Sequence, residues 1–244
     1  MAGRITDKGR VKAGRGIGQG SEYDPWFKIG DFGSSGRSTR LYFEKTGRIH
    51  HFLSKLETQT FFWLSWQDGV TDIREQFPLD IKETKKIAKS LGYRHPRKNG
   101  VRVCYTLDFL VDTDQGQKAY QVRYSDAQNK RFIENNEVVQ KLLERKNIPL
   151  IVISERSFSK VLIKNLETIN VYTEKPDTNL SIPYFVEQVA SAMSATRTIR
   201  ELIHEIAQQE AISFNLALHF FMNLVHEKTI TLPMEQALLM DLSS

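Results

Sequence analysis

An α/β fold followed by a separate helical region is what this sequence predicts, and three observations carry that expectation. Strand-like runs rich in β-branched and aromatic residues alternate with helical stretches through the first two thirds of the chain. Past about residue 165 the chain turns to amphipathic helical stretches closed by one short β-like run. The charge changes at the same place: residues 1–164 hold 30 basic and 19 acidic side chains, a net +11, whereas 165–244 hold 4 and 10, a net −6. A basic body suits a polyanion such as duplex DNA, and an acidic end region suits a different partner.

The 244 residues, 40% of them hydrophobic, are enough for one sizeable core and a small satellite domain. No stretch approaches the roughly 18 consecutive apolar residues of a membrane span, and the start at Met1 lacks the apolar core of a signal peptide, so a cytoplasmic, nucleoid-associated protein is expected. The single cysteine, Cys104, lies in an apolar run and is expected to be a buried thiol.

Residues 1–20 carry Arg4, Lys8, Arg10, Lys12 and Arg15 against one acid, Asp7, and have no hydrophobic period, which predicts a mobile basic arm. Its glycines do not make a nucleotide loop, because no strand precedes them and no Lys-Ser/Thr follows. Ser38 to Leu53 reads as a hairpin about Lys45-Thr46-Gly47. A buried helix follows, with Glu57 one turn from Phe61. VTDIREQFPL is a strand stopped by Pro78, and the next helix ends at Gly92.

The run VRVCYTLDFLVD, which contains Asp108, and KAYQVRY form a central hairpin; a helix of about five turns and LIVIS, a wholly apolar strand of the kind found in a sheet covered on both faces, complete an α/β layer. Beyond it IPYFVEQVASAM, TRTIRELIHEIAQQEA and SFNLALHFFMNLVHEK are helical, and TITLPMEQ is β-like, which together predict a small winged-helix-like domain. The domains expected are the arm at 1–20, an α/β domain at 21–165 and a partner-binding domain at 166–244.

Asp108 on one strand, Gln121 and Arg123 on the next, and Glu57 on an earlier helix form a possible metal-dependent phosphodiesterase site. Gln121 and Arg123 are two apart, so on a strand both emerge on one face beside Asp108. Phosphodiester hydrolysis needs a hard divalent cation and oxygen ligands to hold it, which Glu57, Asp108 and the Gln121 carbonyl can supply. A neighbouring cation, Arg123, would steady developing charge. Glu75 and Gln76 are candidates to line the cleft; Asp112 and Asp114 are expected to serve a turn, and the adjacent His50 and His51 cannot chelate one ion together.

Several blocks, GRGIGQG with DPW, SSGRSTRLY, KTGRIHHFLSKLE, VTDIREQFPL, LDFLVD and YQVR, occur in an order that resembles the TnsA family, the restriction-like endonuclease subunit of heteromeric transposases. The resemblance covers roughly residues 13–150. It implies a PD-(D/E)xK core in which Glu57, Asp108 and Gln121 are the Mg²⁺ ligands, with Mn²⁺ able to substitute. It also implies cleavage at the 5′ ends of a mobile element, with a TnsB-like transposase and a TnsC-like ATP-binding regulator as partners, the latter on the C-terminal domain. Arg123 stands where the family pattern has lysine. Arginine stays protonated and is a planar fork, so it cannot act as a general base: either Arg123 clamps the phosphate while the metal lowers the water pKa, or Lys118 or Lys130 substitutes for the lysine, or activity is weakened. A catalytically weakened adaptor bridging transposase and regulator is the alternative.

Overall fold

The computed structural model describes residues 5–31, 38–98, 101–172, 189 and 198–241, and divides the chain into two units, Met1–Ser157 and Phe158–Ser244. In the first unit a short helix, α1 (Asp7–Lys12), is capped by the Thr6 hydroxyl. A hairpin follows: β1 (Thr39–Phe43) pairs antiparallel with β2 (Arg48–Phe52), and Gly47 at φ +65° lets the chain reverse between them. Ser54 caps α2 (Lys55–Trp66) by accepting from the Glu57 amide. Then come β3 (Val70–Pro78) and α3 (Ile81–Ser90), whose N-terminus Asp80 caps. A small ribbon of β4 (Arg97–Lys98) and β5 (Val101–Arg102) leads into β6 (Thr106–Thr113), β7 (Gly116–Val122), α4 (Lys130–Glu144) and β8 (Leu150–Ile153).

The central sheet runs in the order β3-β6-β7-β8. Its first two pairings are antiparallel, while β7 and β8 are parallel because α4 carries the chain back between them. β6 feeds two cores. Phe109 meets Phe52, which packs with Phe43, His50 and Phe61 in an aromatic cluster joining the hairpin and α2 to the sheet. Leu107 and Leu110 pack with Ile87 of α3 and Val138, Val139 and Leu142 of α4.

The structure corrects three expectations. The basic arm is packed where it is described: Arg10 is only 6% exposed, pairs with Asp7 and Asp31 and stacks on Phe27, and Arg15 also binds Asp31. β8 is an edge strand with Val152 exposed, so its apolar run does not mean cover on both faces. TITLPMEQ forms no strand; it is a turn-rich segment whose Leu232 and Met234 are buried.

The second unit contains α5 (Lys160–Ile169), α6 (Ile199–Gln209) and α7 (Phe214–His226) among the described residues, so it starts before the change of sequence character near residue 165. Buried Asn165 joins α5 to the C-terminal stretch: its amide donates to the carbonyls of Met234 and Ala237, and its oxygen accepts from the Leu239 amide. A Thr198–Glu201 capping box starts α6. The helix expected over residues 182–193 falls outside the described residues apart from Val189.

A buried ion pair ties hairpin to sheet. Glu75 of β3 is fully buried and accepts from both terminal nitrogens of Arg48, at 2.9 and 2.7 Å, from His50 Nδ1 at 2.9 Å and from the His51 amide at 3.0 Å. Burial raises the carboxyl's affinity for a proton, but His50 and Arg48 outweigh it and hold Glu75 at about 2. Burial pushes His50 below its ordinary value, so Arg48 is the cation of the pair at neutral pH.

A carboxyl depressed in the folded state stabilises above its unfolded value, near 4.5, and that stability is lost as pH falls toward about 2. Glu75→Gln should therefore cost ~3–5 kcal/mol at pH 7 by leaving Arg48 buried without its acid. Urea unfolding should show this loss at pH 7, and between pH 4.5 and 2 the variant should lack the part of the acid destabilisation that Glu75 contributes. Equal unfolding free energies at pH 7 would contradict it.

Candidate active site

β3 and β6 lie in a register that sets Glu75 opposite Phe109 and Phe77 opposite Leu107, which leaves Gln76 opposite Asp108. Residues directly opposite on neighbouring strands share a face, so Gln76 and Asp108 emerge side by side. Glu57 reaches the same place from the first turn of α2. There its Oε1 accepts from the Ser54 hydroxyl at 2.9 Å, and Oε2 accepts from the Leu53 amide at 2.9 Å and from Gln76 Nε2 at 3.2 Å. The Gln76 amide also favours the charged form of Asp108, so one side chain acts on both acids. Glu57 is thus both a helix-capping side chain and a member of an acidic pair.

On the other side of Asp108 the ladder to β7 opens. Its last regular pair is Phe109 with Tyr120; beyond it Asp108 Oδ2 takes the Val122 amide at 2.6 Å, and Gln121 Nε2 donates to the Thr106 carbonyl at 2.8 Å. That bond commits the nitrogen end of the Gln121 side chain and leaves its oxygen as the possible ligand. Among the described residues no three His, Cys, Asp or Glu side chains gather as a metal cage; the donors here are two carboxylates and amide groups.

The electrostatics follow from this crowding. Burial and the neighbouring Glu57 charge together push Asp108 up to about 8, against the pull of the Val122 amide, Arg123 and Gln76. Glu57 is also raised, by burial first, with the Leu53, Ser54 and Gln76 donors opposing and the Glu75 charge adding to the rise. Two raised acids side by side, one of them raised by the other's charge, mark a site prepared for a proton or a cation.

Arg123 lies just past the end of β7, exposed, with its Nε donating to the Ala127 carbonyl at 3.2 Å and its guanidinium 5.8 Å from the Phe132 ring. It is near enough for its charge to act on Asp108. The two lysines considered as replacements are elsewhere. Lys118 is three residues from Gln121, so strand alternation turns it to the other face, and Lys130, its side chain 91% exposed, lies 3.9 Å from Glu134.

Other residues singled out in the sequence have structural partners. His50 is buried between Glu75 and the Thr46 hydroxyl, while His51 Nδ1 accepts from the Ile29 amide. Asp112 accepts from Arg74 and Gln117 rather than merely serving the turn, and Trp26 is buried. Cys104 donates to the Leu79 carbonyl, and burial pushes its thiol up to about 12, too high for a nucleophile. The residue that sequence reasoning undervalued is Gln76. Its only signal was a polar side chain within a largely buried strand.

Acidic oxygens beside an arginine at the opened end of a mixed sheet are a donor set that could hold a hard cation. Residues 67–155 match the family model described as TnsA-like endonuclease N terminal. The chain is also 41% identical over 176 residues to the transposon Tn7 transposition protein TnsA of Escherichia coli, a match that covers 70% of this chain and 64% of that protein. Within this chain, residues 67–155 are thus similar to the TnsA-like endonuclease N-terminal domain. The match spans less than two thirds of the relative's length.

Asp108 is raised above its unfolded value, so the folded chain is favoured by this group below about pH 4 and loses that advantage as pH rises through about 8. Asp108→Asn removes the cost of charging. With a chelator present, its thermal midpoint should exceed the parent's by about 3 °C or more at pH 8, and the difference should close by pH 4. A midpoint at or below the parent's across this range would contradict the crowding argument.

Proposed function

We propose that this chain is the DNA endonuclease subunit of a heteromeric, Tn7-like transposase, which hydrolyses the phosphodiester at the 5′ ends of a mobile element. The observation that carries the proposal is the Glu57–Gln76 hydrogen bond with Asp108 beside it, two of these three residues lying within the region matched by the endonuclease family. In this reading the first unit is a PD-(D/E)xK, restriction-endonuclease-like core. The second is a partner-binding domain of winged-helix-like descent, whose acidity favours contact with a TnsC-like regulator over DNA. A TnsB-like transposase would present the element ends and act on the 3′ strands.

The residues present fit a hard divalent cation, because two acids that repel each other in a buried pocket are relieved by positive charge, and an amide oxygen completes an all-oxygen set. Mg²⁺, with Mn²⁺ as a substitute, supplies when bound the charge that makes water acidic enough to attack phosphorus. Glu57 and Asp108 would hold it through carboxylate oxygens, and Gln121 through its amide oxygen. Arg123, always protonated, binds a non-bridging phosphate oxygen and takes no proton. Exposed Lys8 and Lys12 are available for DNA phosphates, contacts that position the duplex without specifying its sequence.

A second reading, a catalytically weakened adaptor between transposase and regulator, is favoured by one observation: the cation at residue 123 is an arginine whose Nε is already engaged by Ala127. Labelled element-end DNA incubated with Mg²⁺ or Mn²⁺, with and without the transposase and regulator, separates the two. Partner-dependent 5′ nicks that fall on the order of 10³-fold in Asp108→Ala are expected for the nuclease. No nicks with either metal would leave only the adaptor. Arg123→Lys should raise the nicking rate several-fold, and an unchanged or lower rate would show that arginine suffices.

A further inference from the structure

Gln76 has a backbone that its position in a strand does not explain. Its φ is +51°, and the other described non-glycine residues with positive φ, Asn147, Ala211 and Lys228, all follow helix ends, where that conformation closes the last turn. Within a strand it is strained and persists only where its surroundings enforce it. Here they do. The Trp26 amide donates to the Gln76 carbonyl at 3.3 Å, and the Tyr23 hydroxyl donates to the Glu75 carbonyl at 2.9 Å. Gly16 sits so close to Pro78 that a Cβ there would lie 2.2 Å from the ring. The N-terminal segment therefore grips residues 75–78 from the free edge of the sheet.

The strain yields a specific contact. The Gln76 side chain, in a residue 4% exposed, donates to Glu57 Oε2 and lies opposite Asp108 in the register, where its amide favours that carboxylate's charge. Packing alone would be served by any side chain of similar volume; acting on both acids requires a donor. We propose that Gln76 is the positioning residue of the site: the N-terminal segment holds its backbone left-handed so that its amide sets the separation of the two carboxylates that would share a divalent cation. The proposal rests on the metal-nuclease reading above. It makes the N-terminal segment part of the active-site apparatus.

Gln76→Met keeps the volume and the backbone cost but removes the amide, and Gln76→Gly removes both the amide and the backbone cost. Mn²⁺ binding by calorimetry on the full chain, with thermal melting in chelator to establish that each variant folds, tests the proposal. Cooperatively melting variants should bind Mn²⁺ at least about 10-fold more weakly than the parent, a loss typical of removing a group that orients metal ligands. A merely structural role would lower the melting temperature and leave the affinity of the folded protein unchanged. If Gln76→Met does not melt cooperatively, the glycine variant decides. Gly16→Ala, which cannot seat against Pro78, should weaken binding in the same direction; unchanged affinity there would overturn the role given to the N-terminal segment. Parent binding that is lost in Asp108→Ala but kept in both Gln76 variants would overturn the positioning role alone. Absence of Mn²⁺ binding by the parent would overturn the metal reading and this proposal together.

Discussion

The carboxylate of Glu75 is the constraint on which the site depends. It has no access to water, so each of its oxygens must be met by the protein, and the donors come from the hairpin β1–β2 rather than from the sheet that carries it. Satisfying this one acid fixes the hairpin against the edge of β3. It also fixes the face from which the next residue must project. Gln76 then lies opposite Asp108, and α2, packed on the hairpin through Phe61, brings Glu57 to the same point. A buried structural ion pair and an adjacent acidic pair are thus consecutive consequences of one strand.

The two pairs show how neighbours decide a carboxylate's behaviour. Glu75 and Asp108 are both removed from solvent to a large degree, yet one is held at about 2 and the other pushed to about 8. The difference is the partner: an arginine and a histidine ring on one side, a second carboxylate on the other. The first arrangement is complete by itself. The second leaves a deficit of positive charge, which Arg123 at the exposed rim reduces without removing.

Much of the α/β order was legible because its signals are local. Pro78 and Gly92 punctuate the chain where β3 and α3 end, Gly47 turns the hairpin, and period-two and helical patterns give β6, β7 and α4. What escaped was set by residues distant in sequence. Nothing near Arg10 or Arg15 announces that Asp31 will draw them inward, so a run of basic residues read as an arm. The apolar β8 is indistinguishable by composition from a doubly covered strand, and the β-like residues 229–236 pack as turns around Asn165. At the site, residue type and spacing alone singled out Glu57, Asp108 and Gln121 only weakly, and it was the family resemblance that raised them above other polar residues. Gln76 could not be ranked, since its importance lies in a left-handed backbone and a cross-strand register that no local pattern records.

The N-terminal segment has a temporal consequence. It leaves the ribosome before the strands that hold it, and its anchors are made much later: Gly20 waits for Asp72, Trp26 for Gln76, and Asp7 for the amide of Cys104. Asp108 and Gln121 are made later still. These early residues are therefore among the last that can settle, and no truncated translation product ending before β6 can contain an assembled acidic pair.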